Sequence, residues 1–308
     1  MFAARKSWLR AFSATSAVIT VSAGVLLLST SAPASATPEI PASASAYAVP
    51  QTTDLPTIAA DTALHNHSMG SQIVRVEGDH STPATDAAAL LPQGFGPGGA
   101  AILATVSGMD VASYQGNVDW ASWWGQGKRF VWTKATEGTT YTNPYFAQQY
   151  NGSYNVGMIR GAYHFATPNT SSGADQANYF VNHGGGWSGD GKTLPGALDM
   201  EYNPYGATCY GLSQSSMGAW VRAFHDTYYS RTGRWPVIYT SQSWWNQCVG
   251  STQNFSSTVP LWTARYASSA GALPINWGYY TVWQYTSSPL DLDVFNGATD
   301  RLQALANG

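Results

Sequence analysis

From Ile102 onward, apolar positions come in short bursts separated by turn residues. Eight runs have the β-branched and aromatic content of strands: 106–112, 130–136, 158–165, 195–201, 235–241, 259–266, 279–286 and 291–295. Between the earlier runs lie stretches with helix-compatible spacing, at 143–155, 173–183 and 213–232. Thr170-Ser171-Ser172 reads as a helix start ahead of Ala174-Asp175-Gln176-Ala177, and Gly157 and Gly233 stand where helices end. Strands alternating with helices predict parallel pairing and an α/β fold. The last connections are too short for full helices, so the pattern predicts an irregular barrel rather than an even eightfold one. No internal repeat stands out.

The first hundred residues do not follow this pattern. Arg5, Lys6 and Arg10 precede an apolar stretch from Ala17 to Leu28, and Ala34-Ser35-Ala36 follows as a small-residue cleavage site. Residues 1–36 therefore read as a secretory signal, with an apolar run too short to cross a bilayer. Residues 37–101 are rich in Ala, Ser, Thr and Pro and end in Gln93-Gly94-Phe95-Gly96-Pro97-Gly98-Gly99. That composition predicts a flexible leader or pro-segment and linker that stays out of the core. His65-Asn66-His67 reads as a polar loop rather than a metal pair. The domain is expected to occupy 102–308, secreted and monomeric.

Composition and charge narrow the function. The chain is 44% hydrophobic and 13% aromatic, which is globular, and thirteen Trp with eighteen Tyr supply flat faces for a core or a sugar cleft. Residues 37–101 carry six acids against one Arg, and 102–308 carry eleven acids against ten bases. No basic patch points to nucleic acid, and no membrane contact is expected once the signal is gone. Cys209 and Cys248 are the two cysteines, expected to bond in an oxidising compartment, with buried free thiols as the alternative. Nothing clusters into a metal site, and no cofactor is expected.

Acids are scarce in the domain, so their positions are informative. Asp110, Glu137, Asp199 and Glu201 fall at C-terminal ends of expected strands, where a barrel gathers its chemistry. In a strand, residues i and i+2 share a face with Cα atoms about 6.5–7 Å apart. Asp199 and Glu201 would then project together, and mutual repulsion would raise one pKa. A raised acid beside an ionised carboxylate suits glycoside cleavage; two exposed acids on a strand end are the plainer reading. Lys134 and Glu137 could pair beside the cleft, and His164 reads as structural.

Residues 107–308 resemble glycoside hydrolase family 25, the Chalaropsis-type lysozymes. The matching blocks are Gly108-Met109-Asp110-Val111-Ala112-Ser113-Tyr114-Gln115-Gly116, Phe130-Val131-Trp132-Thr133-Lys134-Ala135-Thr136-Glu137-Gly138, Arg160-Gly161-Ala162-Tyr163-His164-Phe165 and Ala197-Leu198-Asp199-Met200-Glu201. Val282-Trp283-Gln284-Tyr285 and Leu290-Asp291-Leu292-Asp293-Val294-Phe295-Asn296-Gly297 complete them. The resemblance implies an irregular TIM-like (β/α)5(β)3 barrel. It also implies hydrolysis of the β-1,4 bond from N-acetylmuramic acid to N-acetylglucosamine in bacterial peptidoglycan. By resemblance Glu201 is the general acid, Asp199 its partner carboxylate, and Asp110 the acid ending the first strand. Asp291 is preferred over Asp293 as the further cleft acid, with Asp293 kept as a substrate contact. Tyr163, Tyr239, Trp283 and Gln284 are candidate sugar contacts, with core packing as the alternative for each.

The two acids are too close in sequence to flank opposite faces of a sugar. Retention is therefore expected, with the N-acetyl carbonyl as nucleophile and Asp199 steadying it; direct attack by Asp199 is the other route. The competing function class is a peptidoglycan-binding module or inactive homologue. Such a chain would keep the aromatics and lose an acid.

Overall fold

Eight strands close into a barrel in the computed structural model of the chain, which describes residues 67–80 and 104–308. The expected signal, most of the leader, and residues 81–103 lie outside the described residues. The barrel strands are β1 (Val106–Val111), β2 (Phe130–Glu137), β4 (Ile159–Phe165), β5 (Ala197–Asp199), β6 (Val237–Ser241), β7 (Leu261–Ala264), β8 (Val282–Thr286) and β9 (Leu292–Phe295). A two-residue strand, β3 (Tyr141–Thr142), hangs antiparallel on the end of β2. Pairing runs in parallel from β1 through β8, and β9 then closes the ring antiparallel to both β8 and β1. All eight expected strands are present, most of them shorter than the apolar runs that announced them.

The helices follow the expected asymmetry. α2 (Trp120–Gly125), α3 (Phe146–Asn155), α4 (Gly173–Phe180), α5 (Gln214–Thr232) and α6 (Gln242–Cys248) follow β1 to β6. No helix separates β7, β8 and β9, and α7 (Thr299–Asn307) ends the chain. Ser172 caps α4 by accepting the Asp175 amide at 3.1 Å, and Gly233 ends α5 at φ 72°. No helix among the described residues is long and apolar enough to cross a membrane.

Strand alternation sorts the two faces of the barrel wall. Met109, Val111 and Val131 point outward into a cluster with Trp120, Met158 and Leu290. Phe130, Trp132, Tyr239, Trp262, Val282 and Phe295 belong to the main core. Trp132 and Trp262 meet at 4.7 Å between ring centroids, and Tyr239 meets Trp262 edge-on at 5.2 Å. These rings fit because the neighbouring strand yields: a Cβ on Gly108 would lie 2.3 Å from Phe130 Cζ. Along two of the inward rows the residues change from apolar at the N-terminal end to polar at the C-terminal end. Phe130, Trp132 and Lys134 form one such row, and Val106, Gly108 and Asp110 another.

The leader departs from expectation. Residues 67–80 lie against the barrel, and their helix α1 (Ser71–Glu77) carries Ile73, 1% exposed, into the main core beside Met69, 0% exposed. His67 is fully buried rather than part of a polar loop. A leader poor in apolar residues was expected to stay outside. Met69 and Ile73 nonetheless join that core.

Candidate active site

The C-terminal ends of the parallel strands form a mouth lined by polar side chains. Asp110 arrives from β1, Lys134 and Glu137 from β2, Tyr163 from β4, Asp199 from β5, Tyr239 from β6 and Gln284 from β8. β9 runs the other way, so its N-terminal end reaches the mouth. Asp291 precedes it, and its carbonyl accepts the Asp110 amide at 3.3 Å. Asp293 sits one inward step deeper, opposite Gly108.

β5 ends at Asp199 rather than at 201, and Glu201 lies just beyond it. Both side chains are buried, at 0% and 1% exposure. Burial first, then the charge of Glu201, holds the Asp199 carboxyl well above the usual carboxylate range. Neither Asp199 oxygen has a hydrogen-bond partner among the described residues. Burial raises Glu201 to about 8, against three main-chain amides that favour its anion.

Asp110 accepts the Gln284 amide Nε2 at 2.7 Å. Burial raises its carboxyl to about 7. Asp293 accepts the Trp262 indole N–H at 2.9 Å. Burial, then the charge of Asp110, raises Asp291 well above its ordinary value. Gln284 is held on its other side, where Oε1 accepts Tyr239 at 2.6 Å and Tyr266 at 2.7 Å.

Lys134 and Glu137 meet because β2 is irregular. Residues three apart on a regular strand face opposite sides. A register shift between Lys134 and Thr136 adds one residue there, which turns Glu137 back toward the lysine. Nζ donates to Glu137 Oε2 at 2.6 Å. Burial alone would raise Glu137, but the Lys134 charge and then the His67 hydrogen bond hold it at about 2. Tyr205 adds a short hydrogen bond to Glu137 Oε1.

The structure brings Asp110, Asp199, Glu201, Asp291, Asp293, Tyr163, Tyr239 and Gln284 to one end of the barrel. It does not bring Trp283 there. That ring points out of the barrel into a small cluster with Ala270, Tyr285 and Val294, and donates to the Arg265 carbonyl at 2.8 Å. Strand alternation forces this outcome once Gln284 faces inward. His164 is structural as expected, fully buried between Thr136 Oγ1 at 2.7 Å and Gln176 Oε1 at 2.9 Å. Cys209 and Cys248 form a disulfide, tying the loop after β5 to the end of α6. Tyr205 and Tyr266 went unnoticed in the sequence. The available signal was position, since Tyr266 lies two residues past the end of β7.

Residues 67–73 engage the same groups. Glu201 Oε1 accepts the Gly70 amide at 2.8 Å, and Oε2 accepts those of Gln72 at 3.1 Å and Ile73 at 3.3 Å. The Tyr163 hydroxyl accepts the Met69 amide at 3.2 Å. The His67 amide donates to Glu137 at 3.1 Å, and its carbonyl accepts a short bond from Lys134.

A closed barrel with paired carboxylates at its C-terminal mouth has the form of a glycoside hydrolase of the barrel class. The chain belongs to glycosyl hydrolases family 25, whose sequence profile matches residues 109–294. It is 46% identical to lysozyme M1 of Streptomyces globisporus over 231 residues, covering 70% of this chain and 79% of that one. It is 49% identical over 211 residues to the N,O-diacetylmuramidase of Chalaropsis sp., covering 66% of this chain and all of that one. The solved muramidase of Acremonium alcalophilum superposes with a TM-score of 0.65 at 56% identity, covering 66% of this chain and 99% of that one.

Proposed function

We propose that this protein is an exported muramidase that hydrolyses the β-1,4 bond from N-acetylmuramic acid to N-acetylglucosamine in bacterial peptidoglycan, with Glu201 as general acid and Asp199 as its partner. The observation that carries the assignment of roles is the reach of Glu201. Both of its oxygens accept hydrogen bonds from the segment that fills the mouth, through the amides of Gly70, Gln72 and Ile73, while Asp199 lies a step deeper with both carboxyl oxygens unpartnered. A general acid must stand within hydrogen-bond reach of the atom it protonates. An inner carboxylate with free lone pairs suits an N-acetyl N–H on the sugar bound above it.

In this scheme Glu201 gives its proton to the glycosidic oxygen as the C1–O bond breaks. The N-acetyl carbonyl oxygen forms a bond to C1, and Asp199 stabilises the positive charge and accepts the amide N–H. Glu201, now a carboxylate, then takes a proton from the water that opens this intermediate at C1, so the anomeric configuration is retained. Asp110, Asp291 and Asp293, with Tyr163, Tyr239 and Gln284, shape and polarise the floor of the cleft.

Product analysis on purified peptidoglycan tests this reading. New reducing ends should fall on muramic acid, initially in the β configuration, and reducing ends on glucosamine would refute it. Glu201→Gln keeps the shape and loses the transferable proton, so cleavage should fall by about 10²–10⁴.

A further inference from the structure

The groups that should meet glycan are closed off by the chain's own leader. Asp110, Asp199, Glu201, Tyr163, Tyr239 and Gln284 are each at most 1% exposed. A site for a polymer cannot act at that exposure. Gly70 stands at the centre of the mouth, at φ 78°, where a Cβ would lie 1.9 Å from the Tyr266 hydroxyl, 2.6 Å from that of Tyr239 and 2.7 Å from Gln284 Oε1. Only a glycine passes that point, both because of its φ and because of the space.

The segment is anchored on both sides of this glycine. On one side His67 meets Glu137, Lys134 and Tyr205, its ring 4.8 Å from that of Tyr205 and 5.5 Å from Phe165. On the other, Glu77 accepts the hydroxyls of Tyr202 at 2.9 Å and Ser241 at 2.6 Å, and the His80 amide donates to the Tyr266 carbonyl at 2.8 Å. Two surface cavities border the segment, one touching Glu77 and Gln242 and the other Ile73 and His80, and neither is lined by Asp110, Asp199 or Glu201.

We infer that residues 67–80 are an autoinhibitory plug: they occupy the glycan cleft through main-chain amides on Glu201 and exclude substrate until they are displaced or removed. This rests on the cleft assigned under the proposed function. The plug acts twice. It fills the volume a sugar needs, and its three N–H donors occupy both oxygens of Glu201, the acid that must reach the glycosidic oxygen. Its connection to the domain through 81–103 makes it an intramolecular ligand. That connection is 23 residues long. Cutting that connection turns inhibition into a dilutable equilibrium.

The test compares three forms of the full chain: the parent, Gly70→Trp, and a parent carrying a specific protease site within 85–95 that is cut and then diluted. Glycan hydrolysis should rise at least tenfold for Gly70→Trp and for the cut, diluted chain. Hydrogen exchange should show the Gln72 and Ile73 amides protected in the parent and released in both other forms. Equal hydrolysis by the parent and the released forms, or unprotected amides in the parent, would overturn the inference. Should Gly70→Trp fold poorly, the cut chain carries the same comparison with an unaltered plug. Binding of a soluble peptidoglycan fragment separates the two readings. If no form hydrolyses glycan but the fragment binds the released forms at least tenfold more tightly than the parent, the plug stands and the proposed reaction falls.

Discussion

Lys134→Met should destabilise the protein by several kcal/mol at neutral pH, and the loss should shrink as the solution is acidified. The lysine and Glu137 are 0% and 2% exposed, with 2.6 Å between Nζ and Oε2. Glu137 titrates at about 2 instead of 4.5, a difference equivalent to roughly 3 kcal/mol at neutral pH. Its folded pKa is depressed, so this stabilisation is complete above about 4.5 and is lost as pH falls through about 2. Removing the cation leaves a buried carboxylate with only His67 and Tyr205 for partners, a change that costs about 3–5 kcal/mol for buried pairs. In the variant, burial is no longer outweighed, so Glu137 protonates above its unfolded value and the deficit narrows between pH 7 and about 4. Urea unfolding at a series of pH values measures this. Lys134→Met/Glu137→Gln removes both charges and should recover most of the loss. A single-variant deficit below 1 kcal/mol, or a double variant no more stable than the single one, would refute the reasoning.

Two further outcomes concern His164 and the disulfide. Burial lowers His164 to about 4, so the unfolded chain binds the extra proton between pH 6.5 and 4, and this residue costs roughly 3 kcal/mol of stability across that window as pH falls. The stability difference between His164→Gln and the parent should therefore move in the variant's favour on acidification, and a difference independent of pH would exclude this. Replacing Cys209 and Cys248 together by Ala opens a loop of sequence separation 39, for which loop-closure entropy gives about 3–4 kcal/mol. An unchanged urea midpoint would show that the bond contributes nothing.

The barrel was legible because its strands are buried on both faces. Buried parallel strands read as nearly continuous apolar runs, and each of the eight runs became a strand. Their ends were less legible. β5 stops at Asp199, two residues before its apolar run suggested. Trp283 shows the limit of reading site residues from a block. It sits beside Gln284, and adjacent strand residues cannot both face the cleft. The Lys134–Glu137 pair was foreseeable only as a possibility, since its spacing fits neither strand face without the irregularity in β2.

The role of residues 67–80 was the least legible, and the reason lies in the chemistry of the contact. Sequence patterns report side chains. The bonds that seat this segment come largely from its backbone: amides of His67, Met69, Gly70, Gln72, Ile73 and His80 donate to the barrel, and the His67 carbonyl accepts from Lys134. Any sequence has those amides, so composition cannot announce them. What the sequence can show is the exception that such a contact demands. Here that is a glycine between two apolar anchors, Met69 and Ile73. Under the proposed function, the carboxylates and hydroxyls of this mouth that would hold a sugar's amide and hydroxyl groups offer the same acceptors to a peptide backbone. The affinity of this cleft for its own leader is thus a consequence of the polarity that its substrate requires.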